Sequence, residues 1–83
     1  MFEYKIGSRV RKVGEMFGDS QPTEFQTGTI VGTYHYLHSC EVLYDGKEKK
    51  EVEFLPCLIP ESLENWEQYK GANYTGLEYK FIR

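Results

Sequence analysis

Thr27-Gly28-Thr29-Ile30-Val31-Gly32-Thr33-Tyr34-His35-Tyr36 is the stretch on which the fold turns. It is rich in Thr, Tyr, Ile and Val, the side chains that suit a pleated, half-buried surface, and it predicts a strand. Gly28 and Gly32 inside that strand point to a bend or a close backbone approach, as a tightly curved sheet needs. Working outward, Cys40 to Tyr44 predicts a second strand that runs into Asp45-Gly46, a strong hairpin signal. Glu51 to Leu55 returns as a third, ending at Pro56, which cannot continue a central ladder. Upstream, Ile6, Val10 and Val13 alternate loosely among Arg9, Arg11 and Lys12, and predict the strand that precedes them all. Short strands at this spacing predict a mainly β chain. The expected form is a small SH3-like barrel of four to five strands over residues 1–60.

From Pro60 the signals change. Proline suits a first helical position, Glu61 and Glu64 would sit in the positive first turn, and Lys70 and Gly71 would close the end. Residues 61–83 are therefore expected to form a short helix, with Leu63, Trp66 and Tyr69 or Lys70 on one face, and a tail packed on the barrel. Tyr74 to Arg83 alternates enough, through Leu77, Tyr79 and Phe81, for an edge strand. Residues 14–26 carry two Gly and one Pro without a period and read as a long loop, with Phe17 and Phe25 as its large side chains. Long loops in small domains are often functional.

Eighty-three residues make one small domain with a thin core, and 13 aromatics at 16% of the chain help to fill it. Charged residues at 28% and hydrophobic ones at 40% exclude disordered and collagen-like classes. Two cysteines cannot make a disulfide scaffold. A net charge of −3 is the wrong sign for a general nucleic-acid binder. No apolar stretch approaches the roughly 18 residues that span a bilayer, and Met1 to Lys5 does not read as a secretory signal. With Cys40 and Cys57 as free thiols, the expected location is the cytoplasm, away from membranes.

Candidate chemistry is sparse. His35, His38, Cys40 and Cys57 are possible zinc ligands, but no paired knuckle spacing joins them, so no metal is expected. Arg9, Arg11 and Lys12 put three cations in four positions, a possible phosphate-binding surface alongside Tyr34, Tyr36 and Tyr44. Lys47 to Glu51 mixes signs, as a solvated edge should. No glycine-rich phosphate loop or nucleophile elbow is present.

Gly7-Ser8-Arg9-Val10-Arg11-Lys12, Gly28-Thr29-Ile30-Val31-Gly32-Thr33-Tyr34 and Val52-Glu53-Phe54-Leu55-Pro56, in that order, resemble the plasmid-borne type II dihydrofolate reductases over about residues 7–61. The resemblance implies an SH3-like barrel assembled as a homotetramer around one pore, where NADPH reduces dihydrofolate, and suggests a phage or plasmid source. It places Lys12 where the family keeps a pore-mouth lysine that holds anionic ligand tails. Val52-Glu53-Phe54-Leu55 falls where the family has Val-Gln-Ile-Tyr, so Glu53 replaces the glutamine and Leu55 the tyrosine. The loop before Gly28 is longer than the family's and no tryptophan precedes it. Four Glu53 carboxylates around one pore would repel each other and an anionic cofactor. The expectation is therefore a non-catalytic SH3-like barrel without a cofactor, acting as a protein-interaction or small regulatory module. A divergent NADPH-dependent reductase stands as the alternative and a nucleic-acid-binding barrel as the third. The surfaces expected to bind a protein partner, or to self-associate, are Lys12, Glu53, Phe54 and Leu55, the loop around Phe17 and Phe25, and the face of Trp66 and Tyr69.

Overall fold

A computed structural model of the chain describes residues 2–14, 26–33, 38–69 and 79–82. Among these residues seven strands follow in order: β1 (Phe2–Tyr4), β2 (Arg9–Lys12), β3 (Thr27–Thr33), β4 (Ser39–Tyr44), β5 (Glu51–Phe54), β6 (Leu58–Pro60) and β7 (Tyr79–Phe81). Five of them form one antiparallel sheet in the order β5-β4-β3-β2-β6, while β1 and β7 pair in parallel as a separate ribbon. The chain is mainly β, as its pattern predicts. The expected barrel is not closed by hydrogen bonds, because β5 and β6 lie at opposite ends of the strand order.

Alternation sets which side chains enter the core. Along β2, Val10 and Lys12 turn inward, and along β4 so do Cys40, Val42 and Tyr44. Of these, Val10, Cys40, Val42 and Tyr44 join Tyr4, Ile30, Leu55 and Leu58 in one buried cluster, against which Phe2, Tyr79 and Phe81 of the terminal ribbon pack. The β3–β4 pairing slips by one residue between Ile30 and Gly32, a bulge that leaves Val31 exposed. Gly28 has a different task. A Cβ there would stand 2.7 Å from the Leu43 carbonyl oxygen and 2.9 Å from Tyr44 Cα, so only glycine lets the two backbones come this close. The turn after β4 uses Gly46 at φ 80°, as the Asp45-Gly46 pair predicts.

Three readings of the sequence change. Pro60 does not open a helix: it ends β6, whose three residues pair with β2. The apolar face expected over 61–69 is instead a single 3-10 turn, Trp66–Tyr69, with no buried residue. Leu55 leaves the strand predicted for it and starts the 3-10 turn Leu55–Cys57 that carries the chain from β5 to β6. The expected edge strand near the C-terminus is seen as β7, and its partner β1 carried no sequence signal. The loop with Phe17 and Phe25, and the segment Tyr34-His35-Tyr36, lie outside the described residues. No helix among the described residues is long and apolar enough to cross a membrane.

Candidate functional site

Two of the residues singled out in the sequence, Lys12 and Glu53, meet inside the protomer rather than on its surface. Lys12 points inward from β2 and Glu53 inward from β5, and their charged ends stand 3.2 Å apart with the side chains only 1% and 5% exposed. The two strands are not neighbours in the sheet, so this contact requires the sheet to curl until its inner faces meet. Removing two charges from water is costly, and only close pairing with further polar partners offsets that cost. Cys40, directly opposite Glu53 across the β4–β5 ladder, is also buried. Its thiol is pushed up to about 12, first by burial and then by the Glu53 and Glu41 carboxylates. A thiol held in its neutral form at ordinary pH is a poor nucleophile, so this polar centre does not suit covalent chemistry.

Leu55 is part of the core and offers no surface for binding. Phe54 is half-buried on the outer face, with its ring edge-on to His38 at 6.3 Å. His38 itself sits in the left-handed region, at φ 68°, and its ring also meets Tyr79 of the terminal ribbon edge-on at 5.6 Å. That conformation turns the chain into β4 and leaves the His38 ring in contact with both Phe54 and Tyr79.

The basic run of β2 is divided among three separate environments. Lys12 is taken inside by Glu53. The Arg11 guanidinium stacks 4.3 Å above the centre of the Trp66 ring, which explains how an unburied 3-10 turn is tied to the sheet. Arg9 is the hub of an outer clamp that the sequence did not announce. Its Nε donates to Glu61 at 2.6 Å, and its Nη1 donates to Thr29 at 3.0 Å and to Asp45 at 2.7 Å. Its Nη2 donates to the second Asp45 oxygen, which also accepts from the Thr27 hydroxyl at 2.8 Å. The Asp45 hydrogen bonds raise the Arg9 guanidinium further above its already high value, with Glu61 adding to them. Asp45 in turn is held at about 2, chiefly by Arg9 and then by Thr27. The only sequence signal for this clamp was the Asp of the hairpin turn, and nothing local tied it to Arg9.

Beside the clamp, Glu3, Tyr4, Ser8, Arg9, Pro60 and Glu61 line an open groove of about 390 Å³. Among its described lining residues the one cation is already matched by two carboxylates, so these residues offer no unmatched positive charge of the kind that phosphate binding needs. Trp66 and Tyr69 are half-buried at the two ends of their turn. Compared with protein-family models, curated proteins and solved structures, the chain matches none.

Proposed function

We propose that the chain is a non-catalytic SH3-like barrel that works as a protein-interaction or small regulatory module. The strand order supports the SH3-like reading: the two outermost strands of the sheet are consecutive in the chain and are joined by one 3-10 turn. Inward-facing residues of non-neighbouring strands meet, which is how a curled sheet encloses a core without hydrogen bonds along its seam.

The observation that carries the functional reading is the burial of Lys12, Glu53 and Leu55 within one protomer. A pore shared between subunits draws its walls from side chains that each protomer turns outward. Three of the four positions that the reductase resemblance would place around a pore are turned inward and satisfied locally. A nucleic-acid surface is disfavoured as well, because Arg9, Arg11 and Lys12 are each engaged by a different partner of the same protomer. What the protomer keeps outside is acidic overall and carries isolated apolar side chains, a surface better suited to protein than to phosphate.

The test is a turnover assay at high protein concentration, with NADPH, dihydrofolate and enough trimethoprim to silence any host reductase. The expected result is no loss of cofactor absorbance above the buffer rate. Trimethoprim-resistant turnover that co-purifies with the chain would replace this reading with a divergent reductase.

A further inference from the structure

The two ends of the five-stranded sheet are finished differently. At β6 the outward backbone groups are all used: Leu58 N–H donates to the Leu55 carbonyl, and the Leu58 carbonyl accepts from the Tyr4 hydroxyl at 3.2 Å. Pro60 has no N–H, and its carbonyl accepts from Leu63 at 3.1 Å. That edge is closed to an added strand.

At β5 the opposite holds. Leu55 N–H donates to the His38 carbonyl, and the register places Glu53 opposite Cys40 and Glu51 opposite Val42. Hydrogen-bonded pairs alternate along an antiparallel ladder, so Glu51 and Glu53 bond inward to β4. The N–H and C=O groups of Val52 and Phe54 therefore point away from the sheet, and among the described residues β5 has no strand on that side. The side chains of the same two residues stand on the outer face, Val52 48% exposed and Phe54 half-buried. The mixed charges of Lys47 to Glu51, which guard an edge against pairing, stop one residue before this opening.

We infer that this edge takes the same edge of a second copy, with β5 paired antiparallel to its counterpart about a two-fold axis at Glu53. The pattern is self-complementary. Val52 of one copy faces Phe54 of the other, both residues present their N–H and C=O outward, and each pair can exchange two hydrogen bonds. The outward side chains that meet are apolar, and cross-strand pairs of an aromatic with a β-branched residue are favourable. The two Glu53 residues stand opposite each other at the axis, and each carboxylate is paired with Lys12 of its own protomer, so the seam does not bring together two uncompensated charges. This inference deepens the interaction-module reading, on which it rests, by naming a second copy as the partner.

Sedimentation velocity over a wide concentration range tests it, alongside amide exchange at Val52 and Phe54. A reversible dimer is expected, with exchange at those two amides slowing as the dimer fills. Val52→Pro removes an N–H that bonds to nothing among the described residues, so it should leave the fold intact and weaken the dimer at least tenfold. Val52→Lys, which leaves the backbone unchanged, should do the same and covers a failure of the proline variant to fold. Val31→Lys, at an exposed apolar residue on a strand paired on both sides, should leave the dimer unchanged. A concentration-independent monomer, or a dimer that survives both Val52 variants, overturns the inference. With no turnover in the reductase assay, that outcome leaves the module reading in place with a different partner, whereas turnover removes the module reading itself.

Discussion

Lys12 and Glu53 show how one residue can change its meaning between sequence and structure. In the sequence a lysine and a glutamate 41 positions apart are two surface charges; in the fold they are one buried pair. Breaking such a pair by removing one partner strands the other charge in a dry site, which typically costs about 3–5 kcal/mol. Replacing both with apolar residues of similar size removes the desolvation cost together with the attraction. Lys12→Met should therefore lose roughly that much stability in urea unfolding, while Lys12→Met with Glu53→Leu should recover to the parent value or exceed it. A double variant no better than the single one would show that the pair is not the source of the loss. Cys40 makes a second residue-scale prediction. Its folded-state value of about 12 lies above the ordinary 9.0, so burial favours the neutral thiol in the native state. The associated stability is complete below about pH 9 and is lost as pH rises toward 12. Tyr4, raised above 10.0 chiefly by burial, acts in the same direction. Denaturation midpoints should fall steadily through that alkaline window, and Cys40→Ala should flatten the part of the slope due to the thiol.

Strands and turns differ in how much of them the sequence discloses. β3, β4, the Asp45-Gly46 turn and β5 are legible because each carries its own signal: β-branched alternation, a turn dipeptide, a terminating proline. β1 and β6 are three residues each and exist only because distant partners, β7 and β2, lie alongside them. No local pattern encodes that pairing, and Pro56 and Pro60 hide β6 further. The helix expected from Pro60 had the right caps but lacked a face to bury: Leu63, Trp66 and Tyr69 are only half-buried, and Trp66 spends its ring on Arg11. Of the site, the identities of Lys12 and Glu53 were visible but their burial was not, because it depends on the curl of the whole sheet. The two glycines of β3 give a test at this scale. At Gly28 an added Cβ meets backbone, which cannot move without opening the β3–β4 ladder, so Gly28→Ala should cost about 1–3 kcal/mol. At Gly32 the nearest atoms belong to the Glu41 carboxylate, the end of a flexible side chain already paired with Lys50, which can swing away without moving the backbone. Gly32→Ala should stay within about 0.5 kcal/mol of the parent. Equal melting temperatures for the two variants would contradict this assignment of close approach to Gly28 alone.

Taken as one molecule, the protein is built from neighbours in sequence at its centre and from strangers at its margins. β3, β4 and β5 pair through successive connections within residues 27–54, whereas β1 and β7 join the two ends of the described chain. Closing a long loop must be paid in entropy before its contacts form, so the terminal ribbon should assemble after the central strands. The consequence is kinetic and can be read from two substitutions. Val42 is fully buried at the middle of β4, and Phe81 packs on the same core from β7. Val42→Ala should slow folding, with a transition-state value of about 0.5 or more, because its contacts are needed for the central strands to pair. Phe81→Ala should leave the folding arm of the chevron almost unmoved and raise the unfolding rate, with a value below about 0.3. Both truncations are expected to lower stability by more than the roughly 0.6 kcal/mol needed for the ratio to be meaningful. If Phe81→Ala slowed folding as much as Val42→Ala does, the ribbon would belong to the nucleus. The ends of the chain would then be organising the sheet rather than closing over it.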